Sequence, residues 1–140
     1  MQKLIIIVTL SIFSLLGLHA QETNKNITVN VSNISSNEGN VSIALYDSES
    51  NFLKKPLQGQ RVNIENNTCI VTFENVPEGT YAISLYHDEN GNGKMDTNFM
   101  HIPKEDYGCS NNARGFMGPP KWEDAKFELK QENITQHIEL

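Results

Sequence analysis

Four oxygen-bearing side chains in "HDENGNGKMDTN", residues 87–98, are spaced for chemistry: Asp88, Asn90, Asn92 and Asp96 stand at positions one, three, five and nine of a loop. In a tightly curled backbone, alternate side chains converge on one point, and a hard cation wants about six to eight oxygens around it. Gly93, at position six, permits the sharp turn that exposes the carbonyl of Lys94. Lys94 would therefore contribute main-chain oxygen only. Calcium is the cation this donor set suits. Position twelve, where an EF-hand carries a bidentate Glu, is Phe99. The flanking segments read as strand, so the loop has calcium-loop spacing in a β setting and is not an EF-hand. Glu105 is the candidate for the missing carboxylate, with Asp106 beside it. The same Asn- and Gly-rich spacing also serves an ion-free turn whose side chains cap their own backbone.

Two histidines flank the loop and define a second chemistry. His87 and His101, with nearby carboxylates, have the residue types of a zinc site or an acid–base pair in a small metal-dependent enzyme. "YGCSNNARG" has Cys109 and Ser110 but no G-x-S-x-G elbow. No catalytic residue is expected, and the first expectation is a non-catalytic module. His101, Tyr107, Asn111, Asn112, Arg114 and Trp122 make a candidate ligand surface for a glycan, peptide or envelope partner. The amides and guanidinium would meet polar groups and the aromatic rings would stack. Those residues can equally satisfy the loop's own backbone and seal a sandwich edge. Cys69 and Cys109 are a candidate disulfide in an oxidising compartment, although spacing does not decide whether they approach.

The elements that must position these residues follow a period of two. "NITVNVSNI" and "NVSIALYD" alternate around the turn cluster "SSNEGN", which predicts a hairpin. "RVNIEN" and "TCIVTFENV" follow, then "YAISLYHD", and "AKFELK" with "ITQHIEL" as a last pair. The pattern predicts an all-β, Greek-key-like single β-sandwich of about seven strands, prealbumin- or immunoglobulin-like. Residues 88–121 form one long irregular loop, a length that in a compact domain is usually functional. Phe99, Tyr107, Phe116 and Trp122 are expected to give that loop a small core. "PPKWEDAK" holds a turn of helix.

The chain has 140 residues, enough for one domain with its own core. Residues 1–20, "MQKLIIIVTLSIFSLLGLHA", have a lysine, an apolar run and a terminal Ala, the layout of a secretory signal peptide. Residues 21–140 are the expected single domain, without a membrane span once the signal is cleaved. With 17 Asp and Glu against 11 Lys and Arg, the charge opposes nucleic-acid binding and suits a divalent cation.

"NVSIALYDSESNFLK", "VPEGTYAISLYHDENGNGKMDTNFMHIPKEDYGCSNNARG" and "GPPKWEDAKFEL" together resemble a bacterial family known as domain of unknown function 2141. The likeness runs from about residue 26 to 139. It implies an exported protein, periplasmic or secreted, mostly from Gram-negative bacteria, with no established activity. Where that family commonly has Gly before the "IP" step this chain has His101, which argues against a shared catalytic role for it. "VPEGTYAISLY" has a looser likeness to transthyretin-like sandwiches, an analogy of architecture that does not carry function.

Overall fold

The computed structural model describes residues 24–140, so the expected signal peptide, 1–20, lies outside the described residues. Alternating apolar side chains build two sheets that bury each other. One sheet has the order β4–β1–β8, from β1 (Lys25–Ser32), β4 (Cys69–Val76) and β8 (Ile134–Glu139). The other runs β3–β2–β5–β6, from β2 (Asn40–Tyr46), β3 (Gln58–Asn63), β5 (Gly79–Asp88) and β6 (Tyr107–Cys109). β7 (Phe127–Leu129) pairs with the start of β5, and β6 pairs further along it. Ile27, Val29 and Val31 of β1 meet Val41, Ile43 and Leu45 of β2 across the gap, with Phe73, Ile83, Leu85 and Ile138 filling it. This is the expected all-β sandwich.

The pairing differs from the expectation at the first hairpin and at the last pair. β1 and β2 do not form a hairpin: β1 pairs with β4 and, in parallel, with β8, while β2 pairs with β3 and β5. β3 and β4 likewise belong to opposite sheets. The final two strands part company, β7 to β5 and β8 to β1. The physical reason lies in the connections. Each crossing carries a buried isoleucine, Ile34 or Ile64, inserted into the core between the sheets. The two crossings are tied together, since Ile34 N–H donates to the Asn67 carbonyl and Asn67 Nδ2 to the Ile34 carbonyl. A turn with an apolar plug passes from sheet to sheet and does not reverse within one.

The outer face of the β2–β5–β6 sheet carries a second, smaller core. Tyr46, Phe52, Ala82, Cys109, Ala113, Trp122 and Ala125 pack there, beneath the 48–57 connection and a short helix α1 (Trp122–Ala125). Phe52 meets Tyr46 and Trp122 edge-on, with ring centroids 5.4 and 5.7 Å apart. Edge-to-face contacts of this kind suit the ring quadrupoles. The expected loop core of Phe99, Tyr107, Phe116 and Trp122 is therefore not formed. Trp122 is recruited by Phe52, and Phe99 and Phe116 stand 90% and 93% exposed.

The candidate disulfide is also absent. Cys69 lies between the sheets and Cys109 in the outer cluster, on opposite faces, and both are free. Burial pushes each thiol up to about 11, against a usual value of 9.0. Such thiols carry little thiolate at neutral pH and are poor nucleophiles.

Candidate functional site

β5 delivers Asp88 to the rim of the sandwich on the face opposite the main core. Asp88 is fully buried. Its neighbour across the ladder, Asn40, is preceded by Gly39, where a Cβ would collide with the Asp88 carbonyl. The Asp88 carboxylate organises the loop that follows: Oδ1 accepts Asn92 N–H at 3.0 Å and Oδ2 accepts Gly93 N–H at 2.8 Å. Gly93 has φ +79°, and the Arg61 guanidinium occupies the space a side chain would need. The left-handed conformation favours glycine at this position, while the Arg61 side chain could swing aside from a Cβ.

The remaining side chains of the pattern are hydrogen-bonded into this turn. Asn90 Nδ2 donates to Asp96 Oδ2 at 2.6 Å and Asn92 Nδ2 to Asp96 Oδ1 at 2.9 Å. Asn90 Oδ1 and Asn92 Oδ1 accept the main-chain N–H of Asn92 and Lys94. Asp96 N–H donates to Glu105 Oε2 at 2.9 Å, and Lys104 N–H to the Asp96 carbonyl at 2.8 Å. Glu105 is therefore joined to the loop across nine residues of chain. Its second oxygen, Oε1, is buried and has no hydrogen-bond partner; Asn40 Oδ1, on the residue paired with Asp88, is in the same condition. Buried oxygens without donors call for an explanation such as water or an ion.

Among the described residues, no three His, Cys, Asp or Glu side chains gather as a metal-holding group by themselves. A cation here would draw on amide and main-chain oxygen as well as carboxylate. The donor chemistry fits a hard ion: an amide oxygen has two lone pairs and a carboxylate about four acceptor positions. The N–H bonds seen here leave acceptor capacity on Asn90, Asn92, Asp88 and Asp96.

The histidines do not form a shared site. His87 is 2% exposed; its Nδ1 meets Ser35 Oγ at 3.2 Å and its Nε2 donates to the Glu38 carbonyl at 2.7 Å. Both ring nitrogens are engaged in seating the β1–β2 connection. His101 is exposed and has φ +59°. That left-handed conformation is one glycine adopts freely.

Most of the expected ligand surface turns out to be internal bracing. Asn111 Nδ2 donates to the carbonyls of Asp124 and Lys126, and Asn112 Oδ1 accepts Glu139 N–H. Arg114 donates to the carbonyls of Tyr107 and Glu139. Trp122 is buried. These residues staple the 110–114 turn to β8 and α1. Ser110, fully buried, accepts Ile83 N–H and donates to the Ala125 carbonyl. Of the six, His101 and Tyr107 line a cleft.

That cavity was not expected. A cleft of about 710 Å³ has Ser84, Tyr86 and Gly108 in its lining, with one wall from Met95 to Pro103 and another from Met117 to Pro120. A signal for it was present in the exposed apolar residues of "NFMHIP" and "GFMGPP", which no strand or helix period explains.

The sequence profile of a family described as an uncharacterized protein conserved in bacteria (DUF2141) matches residues 29–137. No curated protein and no solved structure matches the chain.

Proposed function

The chain belongs to the DUF2141 family, and from that premise we propose that it is an exported, non-catalytic β-sandwich module whose long loop is held by one calcium ion. The ligands are Asp88, Asn90, Asn92, Asp96 and the Lys94 carbonyl, with Glu105 closing the set. The ion would supply charge neutralisation and a fixed centre for the loop. The residues themselves do the positioning: Asp88 anchors the turn to β5, Asp96 gathers the two amides, and Glu105 ties the returning chain to Asp96.

The observation that carries this reading is the orphaned Glu105 Oε1, buried on the same carboxylate that accepts Asp96 N–H. None of the three carboxylates has an ion-pair partner among the described residues, whose salt bridges are Lys126–Glu123 and Lys130–Glu128. Three carboxylates linked through a single turn without an ion pair favour a cation, the Arg61 guanidinium packed against Gly93 being a partial counter-charge. A loop fixed in this way would frame the cleft, one wall of which starts at Met95 and ends at Pro103, just short of Glu105. Export is supported by the layout of residues 1–20, and no helix among the described residues is long and apolar enough to cross a membrane.

Isothermal titration of metal-stripped protein with calcium tests the reading. One site per chain is expected, with a Kd of about 10⁻⁴ to 10⁻³ M, as in extracellular modules of similar ligand charge. The Asp88→Ala/Asp96→Ala variant is expected to give no heat. Absence of heat in the parent protein, at millimolar calcium, leaves a self-capped turn and removes the ion.

A further inference from the structure

The cleft beside the loop has a chemistry of its own, and we propose that it binds a single-chain amphiphile with an anionic head group, of the fatty-acid class. This deepens the reading of the loop as the frame of a ligand surface and rests on it. The volume, about 710 Å³, lies within the range of small-molecule sites, which are mostly apolar with a few polar groups. Leu53, Leu85, Ile102, Pro103, Pro119 and Pro120 supply much of the apolar wall. Met95, Met100 and Met117 line it too, and these are all the methionines after Met1. Unbranched, polarisable side chains adapt to a flexible alkyl chain better than branched ones do.

The apolar lining is open to solvent. Met117 is 93% exposed, Met100 58% and Ile102 51%. Side chains of this size stay uncovered at a cost, and contiguous exposed apolar surface marks a place where something docks. Charge selects the kind of occupant. Lys54, Lys55, Lys94, Lys104 and Lys121 are all exposed, and each follows or precedes a lining residue by one or two positions. In a chain of net charge −6, five of the cations thus neighbour the cleft's lining residues in sequence, as do the carboxylates of Asp96, Glu105 and Asp106, the first two of which the loop's own hydrogen bonds engage. An alkyl chain in the cleft with a carboxylate at its mouth satisfies both features. A flat bilayer would meet the protruding Phe99 and Phe116 but would not fill a concavity of this depth. A neutral apolar ligand would make no use of the lysines.

The test is titration of the full folded protein with octanoate, decanoate and dodecanoate below micelle and calcium-soap formation, in calcium and in chelator, with dodecanol as the uncharged control. Affinity is expected to rise roughly fourfold per added methylene until the cleft is filled. Ile102→Glu and Met117→Glu, both at exposed positions, should abolish binding without lowering the melting temperature. Lys104→Glu/Lys121→Glu should weaken dodecanoate at least tenfold and leave dodecanol unchanged. Binding without chain-length dependence, or equal binding by the glutamate variants, overturns the proposal. So does binding to anionic vesicles with none to monomeric dodecanoate, which would assign the face to a membrane. Calcium heat without any amphiphile binding removes the amphiphile and keeps the ion. Amphiphile binding in chelator, in a protein that takes no calcium, keeps the cleft and removes the ion.

Discussion

Replacing Asp88 by Asn isolates the loop's anchor with almost no change in shape. The parent carboxylate accepts two main-chain N–H groups, from Asn92 and Gly93, at 3.0 and 2.8 Å. An amide at the same place has one oxygen and one NH₂, so one of those N–H groups would face a donor. A hydrogen bond to a charged group contributes about 1.5–3 kcal/mol, and the one that survives becomes neutral and roughly half as strong. Relief of repulsion from Asp96 is a small offset, because the Asn90 and Asn92 side chains already donate to that carboxylate. The sum is a loss of about 2–4 kcal/mol in calcium-free buffer, or a fall in Tm of roughly 8–16 °C for a domain of this size. Calcium then separates the two proteins further. With a Kd of about 10⁻⁴ M, calcium at a hundredfold excess stabilises the parent by about 2.7 kcal/mol and the variant by almost nothing. Urea unfolding of both proteins, with and without calcium, measures all four values. A loss under about 0.5 kcal/mol without calcium, or an equal gain in both proteins with it, would refute the reasoning.

The other predictions are independent of one another. Glu105→Gln should leave the fold intact, since one amide oxygen can still accept Asp96 N–H, yet weaken calcium at least tenfold by titration. Cys69 and Cys109 should resist alkylation in the native protein and react fully in denaturant, with no mass change on reduction. Their folded pKa values of about 11 exceed the unfolded value, so the folded state holds more protons in between. Stability contributed by the two thiols is complete below pH 9 and is lost as pH rises from about 9 to 11, which urea midpoints across that range would show. His101→Gly should raise stability by up to about 1 kcal/mol, because relief of the left-handed conformation exceeds the added chain entropy; a fall in urea midpoint would count against it. Phe73→Ala, by contrast, empties a fully buried position and should cost about 3–5 kcal/mol in the same assay.

The strands were readable because alternation is a local property. β1 and β2 bury every second residue, β4 does so from Cys69 to Phe73, and β5 buries Tyr81, Ile83, Leu85 and His87 on its core face, and a period of two needs no knowledge of partners. Partnership was not readable. Whether the chain after Ser32 turns back or crosses to the other sheet depends on where Ile34 finds its cavity, which is a property of the assembled core. β6 escaped detection because three residues, Tyr107–Cys109, are too few to show a period and are recruited only by the open edge of β5. The turn at Asp88 was legible for the opposite reason: its hydrogen bonds run between neighbours in sequence. Glu105, near the loop in sequence, is joined to it in the fold by accepting Asp96 N–H. Asn111, Asn112 and Arg114 look like recognition residues in sequence, because nothing local reveals that β8 and α1 will supply their partners. The cleft was hidden in plain composition, as three methionines and three prolines in segments with no other structural reason to be apolar.

The account turns on whether one cation completes the oxygen cluster begun by Asp88. Equilibrium dialysis of the folded protein against millimolar calcium, followed by elemental analysis, measures this directly. The expected result is close to one calcium per chain in the parent protein and almost none in the Asp88→Ala/Asp96→Ala variant. Equal calcium content in the two, or none in either, would contradict it.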